Sequence, residues 1–193
     1  MNAVIQAIKK RRSVRSYTRD RIPHEVLETL LEAATWAPTG ANMQQWRFVV
    51  VESPEMLERF ITVADEQYWA WANKQKDSWL GKIRAQLDQT LSADDPDYDP
   101  VFYGGSAIVW VIATRSGAAT ECAAACQNMM LAAHSLGLAS CWVGFGNMAR
   151  TDPELEALLE LGEKEKPLEP IVFGYPKDVT EAPEKKPAVV KWL

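Results

Sequence analysis

Residues 122–149 include no Asp, Glu, Lys or Arg, an uncharged run of 28 positions. Elsewhere charged and apolar residues alternate in the ordinary way, so this run belongs at the physical centre of the fold. It does not read as a membrane span. Gln127, Asn128, His134 and Ser135 interrupt the apolar residues, and Gly137 breaks the helix before it could cross a bilayer. The pattern predicts a helix over 121–135, buried on most of its circumference, with Ala123, Ala124, Ala125, Ala132 and Ala133 admitting neighbours on several sides. Gly137 stands where a left-handed residue ends such a helix. Residues 139–143 then read as a strand, and Gly144 with Gly146 opens a turn. A helix buried all round in a chain of 193 residues implies that a second subunit covers part of it.

That length fits one domain, with no internal repeat, linker or second domain, and 47% apolar against 24% charged residues is globular composition. Three cysteines, Cys122, Cys126 and Cys141, all fall inside the uncharged run and read as buried reduced thiols of a cytoplasmic protein. With His24 and His134 as its two histidines, the chain lacks the usual partners for a metal site. Residues 1–12 carry no apolar core of a secretory leader. The net charge of -5 speaks against general nucleic-acid binding.

The net charge conceals an asymmetry. Between positions 9 and 21 stand seven basic residues (Lys9, Lys10, Arg11, Arg12, Arg15, Arg19, Arg21) against the single acid Asp20, so this segment carries +6 and the remainder -11. Residues 3–10 read as a helix with Val4, Ile5 and Ile8 on one face, and a helix end favours Lys and Arg. Helix-end charge accounts for two of the seven. It does not account for Arg11-Arg12-Ser13-Val14-Arg15, where donors of different reach alternate with a hydroxyl, a pattern suited to a small phosphate-bearing ligand.

Pro23 starts a second helix whose buried face is Val26, Leu27, Leu30, Leu31 and Ala34, and Pro38 stops it. The loop Pro38-Thr39-Gly40-Ala41-Asn42 reads as a turn or as a ligand-approaching segment, and Trp46 leads into a strand over 48–51. Ser53-Pro54-Glu55 caps a helix with Met56, Leu57, Phe60, Ile61 and Ala64 on its inner side. Over about 65–103 the chain is expected to be most individual, and the family resemblance given below implies a variable lid there. Within it, Tyr68, Trp69 and Trp71 either stack on a flat substrate or pack the lid onto the body. A helix over 79–91 follows, then an acidic loop over 92–100. Strands are expected at 108–113 and 171–173. Between them lies a helix opened by Asp152-Pro153-Glu154, with Leu155, Leu158, Leu159 and Leu161 facing inward. The proline- and charge-rich tail, 176–193, reads as a partner-wrapping segment ending in an added strand at Val189, Val190 and Trp192, or as a loose end.

Arg11-Arg12-Ser13-Val14-Arg15, then Ala37 to Trp46, then Gln127 to Gly144, then Phe173-Gly174-Tyr175-Pro176 with Lys185-Lys186-Pro187, resemble in order the four blocks of the nitroreductase family of FMN-dependent oxidoreductases. The resemblance spans nearly the whole chain. It implies an α+β fold, with a central, mostly antiparallel sheet flanked by helices, in an intertwined homodimer whose C-terminal tails are exchanged. It places the FMN phosphate on Arg11 and Arg12, with Ser13 beside it and Lys185 or Lys186 completing the site. Arg15 falls toward the flavin pyrimidine. Pro38, Thr39, Gly40 and Asn42 reach the flavin held mainly by the other subunit. Trp142, Val143 and Gly144 line one flavin face and offer an N–H near N5. Gln45 departs from a frequent Pro, and two tail lysines replace a frequent arginine, which grips phosphate better.

These implications define a soluble FMN enzyme that takes hydride from NAD(P)H at flavin N5. It passes electrons to nitroaromatics, quinones or free flavins by a ping-pong route, with no membrane or nucleic-acid partner. No catalytic side chain is required, since the chemistry sits on the flavin. Flavin fragmentation or reductive dehalogenation on the same fold is the alternative, and a non-catalytic nucleic-acid-binding protein the remote one.

Overall fold

The computed structural model describes residues 2–92, 95, 98–178 and 180–193. Of the acidic loop expected over 92–100, residues 93, 94, 96 and 97 lie outside that description. The sheet is built on β2 (Ala107–Ala113), in which all seven residues are buried. On one side β2 pairs with β1 (Trp46–Val51), and on the other with β5 (Ile171–Gly174). β5 in turn pairs with β3 (Ala139–Trp142), giving the order β1-β2-β5-β3 with every pair antiparallel. The four expected strands are therefore present. A fifth, β4 (Lys166–Pro167), pairs with the end of β2 and was not expected.

Because β2 is buried on both faces, each face carries its own core. On one face, α3 (Pro54–Gln75) sets Leu57, Phe60, Ala64 and Tyr68 against the sheet, with the Phe60 and Trp110 rings 5.1 Å apart. Ser53 opens α3 by accepting from the Met56 amide. Helix α4 (Trp79–Leu91) packs on α3, and Ser78 caps it through the Gly81 amide. On the other face lie α2 (His24–Thr35) and α5 (Ala119–Ser135), joined through Leu27, Leu30, Cys122, Cys126 and Met129.

α5 buries one face, Cys122, Ala125, Cys126, Met129, Met130 and Ala133, and leaves Ala123, Ala124, Gln127 and Leu131 half-covered in the single chain. Its end follows expectation, with Gly137 at φ 79°. All three thiols are free and buried, and burial raises each pKa, to about 11 for Cys122 and about 12 for Cys126.

Two local expectations are corrected. α2 starts at His24 with Pro23 at its cap, one residue later than predicted. The helix after Asp152, α6, spans only Pro153–Ala157, and Glu160 turns left-handed at φ 48°, so Leu158 is 47% exposed while Leu155 and Leu159 are buried. Among the described residues of the tail no strand forms in the single chain, where Val189, Val190 and Trp192 are exposed. Among the described residues, no helix is long and apolar enough to cross a membrane.

Candidate functional site

Helix α1 (Ala3–Lys10), capped by Asn2 through the Val4 amide, ends at the basic segment and buries none of its residues. Val4, Ile5 and Ile8 are exposed. The segment after it is strapped across the sheet edge. The Val14 amide donates to Ser140 O in β3 (3.2 Å), the Thr18 amide to Tyr175 O (2.8 Å), and the Lys177 amide to Ser16 O (3.1 Å). The buried Tyr17 hydroxyl closes the turn by donating to Val14 O at 2.8 Å. The cations of residues 11–15 are thus fixed by backbone hydrogen bonds to the sheet edge, and do not hang from a free helix end.

They line a cleft of about 560 Å³ whose walls include Arg11, Arg12, Ser13 and Arg15 from the N-terminal segment and Lys185 from the tail. Residues about 170 positions apart in sequence therefore share one concavity. Two guanidinium nitrogens here, Arg11 Nη1 and Arg12 Nε, are buried without a hydrogen-bond partner. A buried charged donor left unpaired is costly, so these atoms are pre-positioned for an anion. Arg12 also has a structural role, its Nη1 donating to Lys9 O (2.7 Å) and Arg11 O (2.8 Å) at the end of α1. Arg15 Nη1 donates to Ser13 O at 3.3 Å. Lys186 does not line the cleft.

Arg15 and Arg11 also reach toward β3. Burial raises the Cys141 thiol pKa, and the positive charges of Arg15 and Arg11 draw it partly back. The basic segment therefore lies close to the strand that leads into Trp142, Val143 and Gly144. Of these three, Val143 is buried and its amide already donates to Pro170 O at 2.9 Å. Gly144, first in a 3₁₀ turn over Gly144–Thr151, is exposed with open space around it. An amide in the first turn of a helix has no partner within the helix, so Gly144 is the backbone donor that this stretch offers a ligand.

The loop Pro38, Thr39, Gly40 and Asn42 lies elsewhere. The Gly40 amide donates to Glu121 Oε1 at 3.0 Å, and Thr39 Oγ1 accepts from the Gln44 amide at 3.1 Å, while Ala41 and Asn42 take φ of 51° and 53°. Glu121 stands at the start of α5, whereas Arg11 and Arg12 share a concavity with His134 at its end. His134 lies thirteen positions along the helix from Glu121, about 20 Å at 1.5 Å per residue. Within one chain, the loop and the basic cleft are held apart.

The three aromatics divide. Tyr68 is buried, its hydroxyl donating to Asp88 and accepting from Arg84 Nε, and it packs in the core of the single chain. Trp69 is 45% exposed and lines a space between α3 and α4 away from the basic cleft. Trp71 packs its ring 4.7 Å from Phe145, the neighbour of Gly144. Sequence reasoning missed Ser140, which is 1% exposed with an unpartnered Oγ, beside the same arginines. Its signal was faint, a lone hydroxyl in an apolar strand.

The family profile described as "Nitroreductase family" matches residues 8–175. A protein from Methanothermobacter thermautotrophicus named as an NADH dehydrogenase/NAD(P)H nitroreductase is 32% identical over 91% of this chain and 78% of its own length. The crystal structure of a nitroreductase with bound FMN from Bacteroides fragilis superposes with a TM-score of 0.74, 28% identity and full coverage of both chains. Over a shorter stretch, 32% of this chain and 22% of the relative, iodotyrosine deiodinase 1 of Sus scrofa is 39% identical.

Proposed function

The chain belongs to the nitroreductase family, and from that premise we infer that it is an FMN-dependent NAD(P)H oxidoreductase whose flavin lies in the cleft between the basic segment and the tail. The observation that carries this reading is the convergence of Arg11, Arg12, Ser13, Arg15 and Lys185 on one cleft, with two guanidinium nitrogens buried and unpaired. A phosphate dianion fits that donor set, since guanidinium groups bind phosphate oxygens through charge-assisted, paired hydrogen bonds.

When bound, FMN would supply the two-electron chemistry linking a nicotinamide donor to an oxidised small-molecule acceptor by a ping-pong route. The protein's part is positional and electrostatic. Arg11 and Lys185 bind the phosphate. Arg15, whose charge already reaches Cys141, stabilises negative charge at the pyrimidine edge. The Gly144 amide would be the backbone donor to the ring, and Trp71 packed on Phe145 would limit water on that side. The Pro38, Thr39, Gly40 and Asn42 loop lies about 20 Å along α5 from the arginines of its own chain, so it serves the flavin of a second copy. The working unit is therefore a homodimer.

The test is the absorption spectrum of the purified protein, then anaerobic bleaching by NADH and by NADPH and reoxidation by a nitroaromatic or quinone. A colourless preparation that takes up no FMN when supplied ends the reading. The local identity to iodotyrosine deiodinase 1 favours a second one, reductive dehalogenation at the same cleft. Halide release from an iodinated phenol by the reduced protein, without turnover of nitroaromatics or quinones, selects it.

A further inference from the structure

A cavity of about 330 Å³ opens on the α3 side of the sheet and shares no lining residue with the flavin cleft. Its volume falls among those of small-molecule sites, about 300–1,000 Å³. Leu57 and Ile61 of α3 give it an apolar floor. Two carboxyl groups meet on one wall, Asp65 of α3 and Asp99 from the turn before β2. Asp99 is 5% exposed and well satisfied by backbone amides. Its Oδ1 accepts from Val101 (2.8 Å) and Phe102 (2.6 Å), and its Oδ2 from Gly104 (3.1 Å). Asp65 is not satisfied, for its Oδ1 is buried without a hydrogen-bond partner. Burial, and then the adjoining Asp99, raise the Asp65 pKa to about 9, so the pair holds one proton at neutral pH. A buried carboxyl oxygen with no donor is costly, and the cavity beside it has room for a ligand that brings one.

We propose that this cavity binds a small primary ammonium compound, its cationic head on Asp65 and Asp99 and its aliphatic body on Leu57 and Ile61. An ammonium group brings three N–H donors, enough for both carboxylates. It takes the place of the proton that the pair holds. Asp65 gives that proton to solvent, its O–H bond to Asp99 is lost, and the freed carboxylate turns to accept from the ammonium. One positive charge replaces another, so the buried pair is neutralised to the same extent before and after. The other charged groups on the walls are Glu52 and Glu58, which favour a cation, and Arg19 and Arg21, which oppose one. Glu52 already accepts from His24 Nδ1 at 2.8 Å. The two arginines are exposed, and a carboxylate on the ligand would meet them there. The same cationic head therefore has two sources, a free alkylamine and an α-amino acid, which differ in their use of Arg19 and Arg21.

FMN-saturated protein is titrated calorimetrically with 3-methylbutylamine and, separately, with L-leucine, which differ only by the carboxylate. Absorption follows flavin occupancy, and chloride holds the ionic strength constant. One probe molecule per chain is expected to bind without releasing FMN. Its affinity should rise about tenfold per pH unit from about pH 6.5 to pH 8, because each ligand bound expels one proton from the pair. Asp65→Asn keeps the shape of the neutral acid and a donor for Asp99, so this variant is expected to fold. It should weaken the probe at least tenfold, as expected for a lost hydrogen bond to a charged group, and abolish the rise with pH. Arg21→Gln, at an exposed position, separates the two sources. Tighter binding of leucine, weakened about tenfold in that variant, identifies an amino-acid site, and binding of the amine that the variant leaves unchanged identifies a free-amine site. Absence of binding by both probes, displacement of FMN, or unchanged affinity in Asp65→Asn overturns the proposal. The cavity holds none of the flavin-binding residues, so a protein that takes up no FMN defeats the flavin reading alone, and the same titrations still decide this one.

Discussion

Helix α4 is fastened to the body by one buried cation, and removing it gives a measurable cost. Arg84 of α4 is 7% exposed and pairs with Asp88, 5% exposed, one helical turn on at 3.0 Å. Its Nε and Nη1 donate to the Tyr68 hydroxyl (2.9 Å) and the Tyr103 hydroxyl (3.2 Å), Nη2 also donates to Pro100 O, and its Cζ lies 5.0 Å from the Tyr68 ring centroid. Arg84→Met keeps much of the volume and deletes the charge. Breaking a buried pair from one side costs roughly 3–5 kcal/mol. Asp88 still accepts from the hydroxyls of Tyr68 and Tyr98, both kept protonated by burial, so the lower end, about 3 kcal/mol, applies. For a chain of this length that lowers Tm by about 6–12 °C. Adding Asp88→Asn removes the stranded charge while keeping a carbonyl for the tyrosines, and should restore about half of the loss. Urea unfolding of wild type, both single variants and the double variant measures the cycle. A loss below about 1 kcal/mol for Arg84→Met, or additive losses in the double variant, would refute the reasoning.

At the cleft, Arg11→Ala should weaken FMN binding by about 1.5–3 kcal/mol, read by flavin fluorescence, and full FMN occupancy in that variant excludes Arg11 as a phosphate ligand. Lys185→Gln should weaken FMN about tenfold while Lys186→Gln leaves it unchanged, because only Lys185 lines the cleft; equal effects would sink that assignment. Asp65 has its pKa raised to about 9 by burial and then by the neighbouring Asp99 carboxyl. Its unfolded value is about 3.9, so between these limits the folded protein holds a proton that the unfolded chain has lost, and stability falls as pH rises through the window. Asp65→Asn should flatten that fall between about pH 4 and pH 9 in thermal unfolding, and an unaltered slope would contradict it. Mixed dimers of an Arg11→Ala chain and a Thr39→Ala/Asn42→Ala chain should retain one FMN per two chains, where each variant alone retains little. A mixture that retains none argues against sites shared between copies.

What could be read from the residues was local in origin. α4 covers the residues 79–91 expected of it, and Gly137 ends α5 as a left-handed residue must. The basic cleft was legible because four of its residues are neighbours in sequence, at positions 11, 12, 13 and 15. The failures have physical causes of a different range. β4 is two residues long and has no periodicity to detect; its pairing is dictated by the end of β2. α6 stops after little more than one turn, so Leu158 leaves the stripe that spacing assigned it. Tyr68 has the ring of a stacking residue, and only a carboxylate twenty positions away and an arginine sixteen away make it core.

One element explains both the legible half of the site and the illegible half. α5 has no charge from Cys122 to its end because it must pass through the interior, and its 17 residues make it about 25 Å long. A rod of that length cannot bring the segments at its two ends together. Glu121 fixes the Gly40 loop at one end, and His134 borders the arginines at the other. If both segments act on one flavin, that flavin must sit where a second α5, running beside the first, presents the opposite end. The half-covered residues Ala123, Ala124, Gln127 and Leu131 lie on the side of α5 left open for such a neighbour. The small side chains that made the helix look buried all round then serve contact between copies, and the uncharged run is as much an interface signal as a core signal.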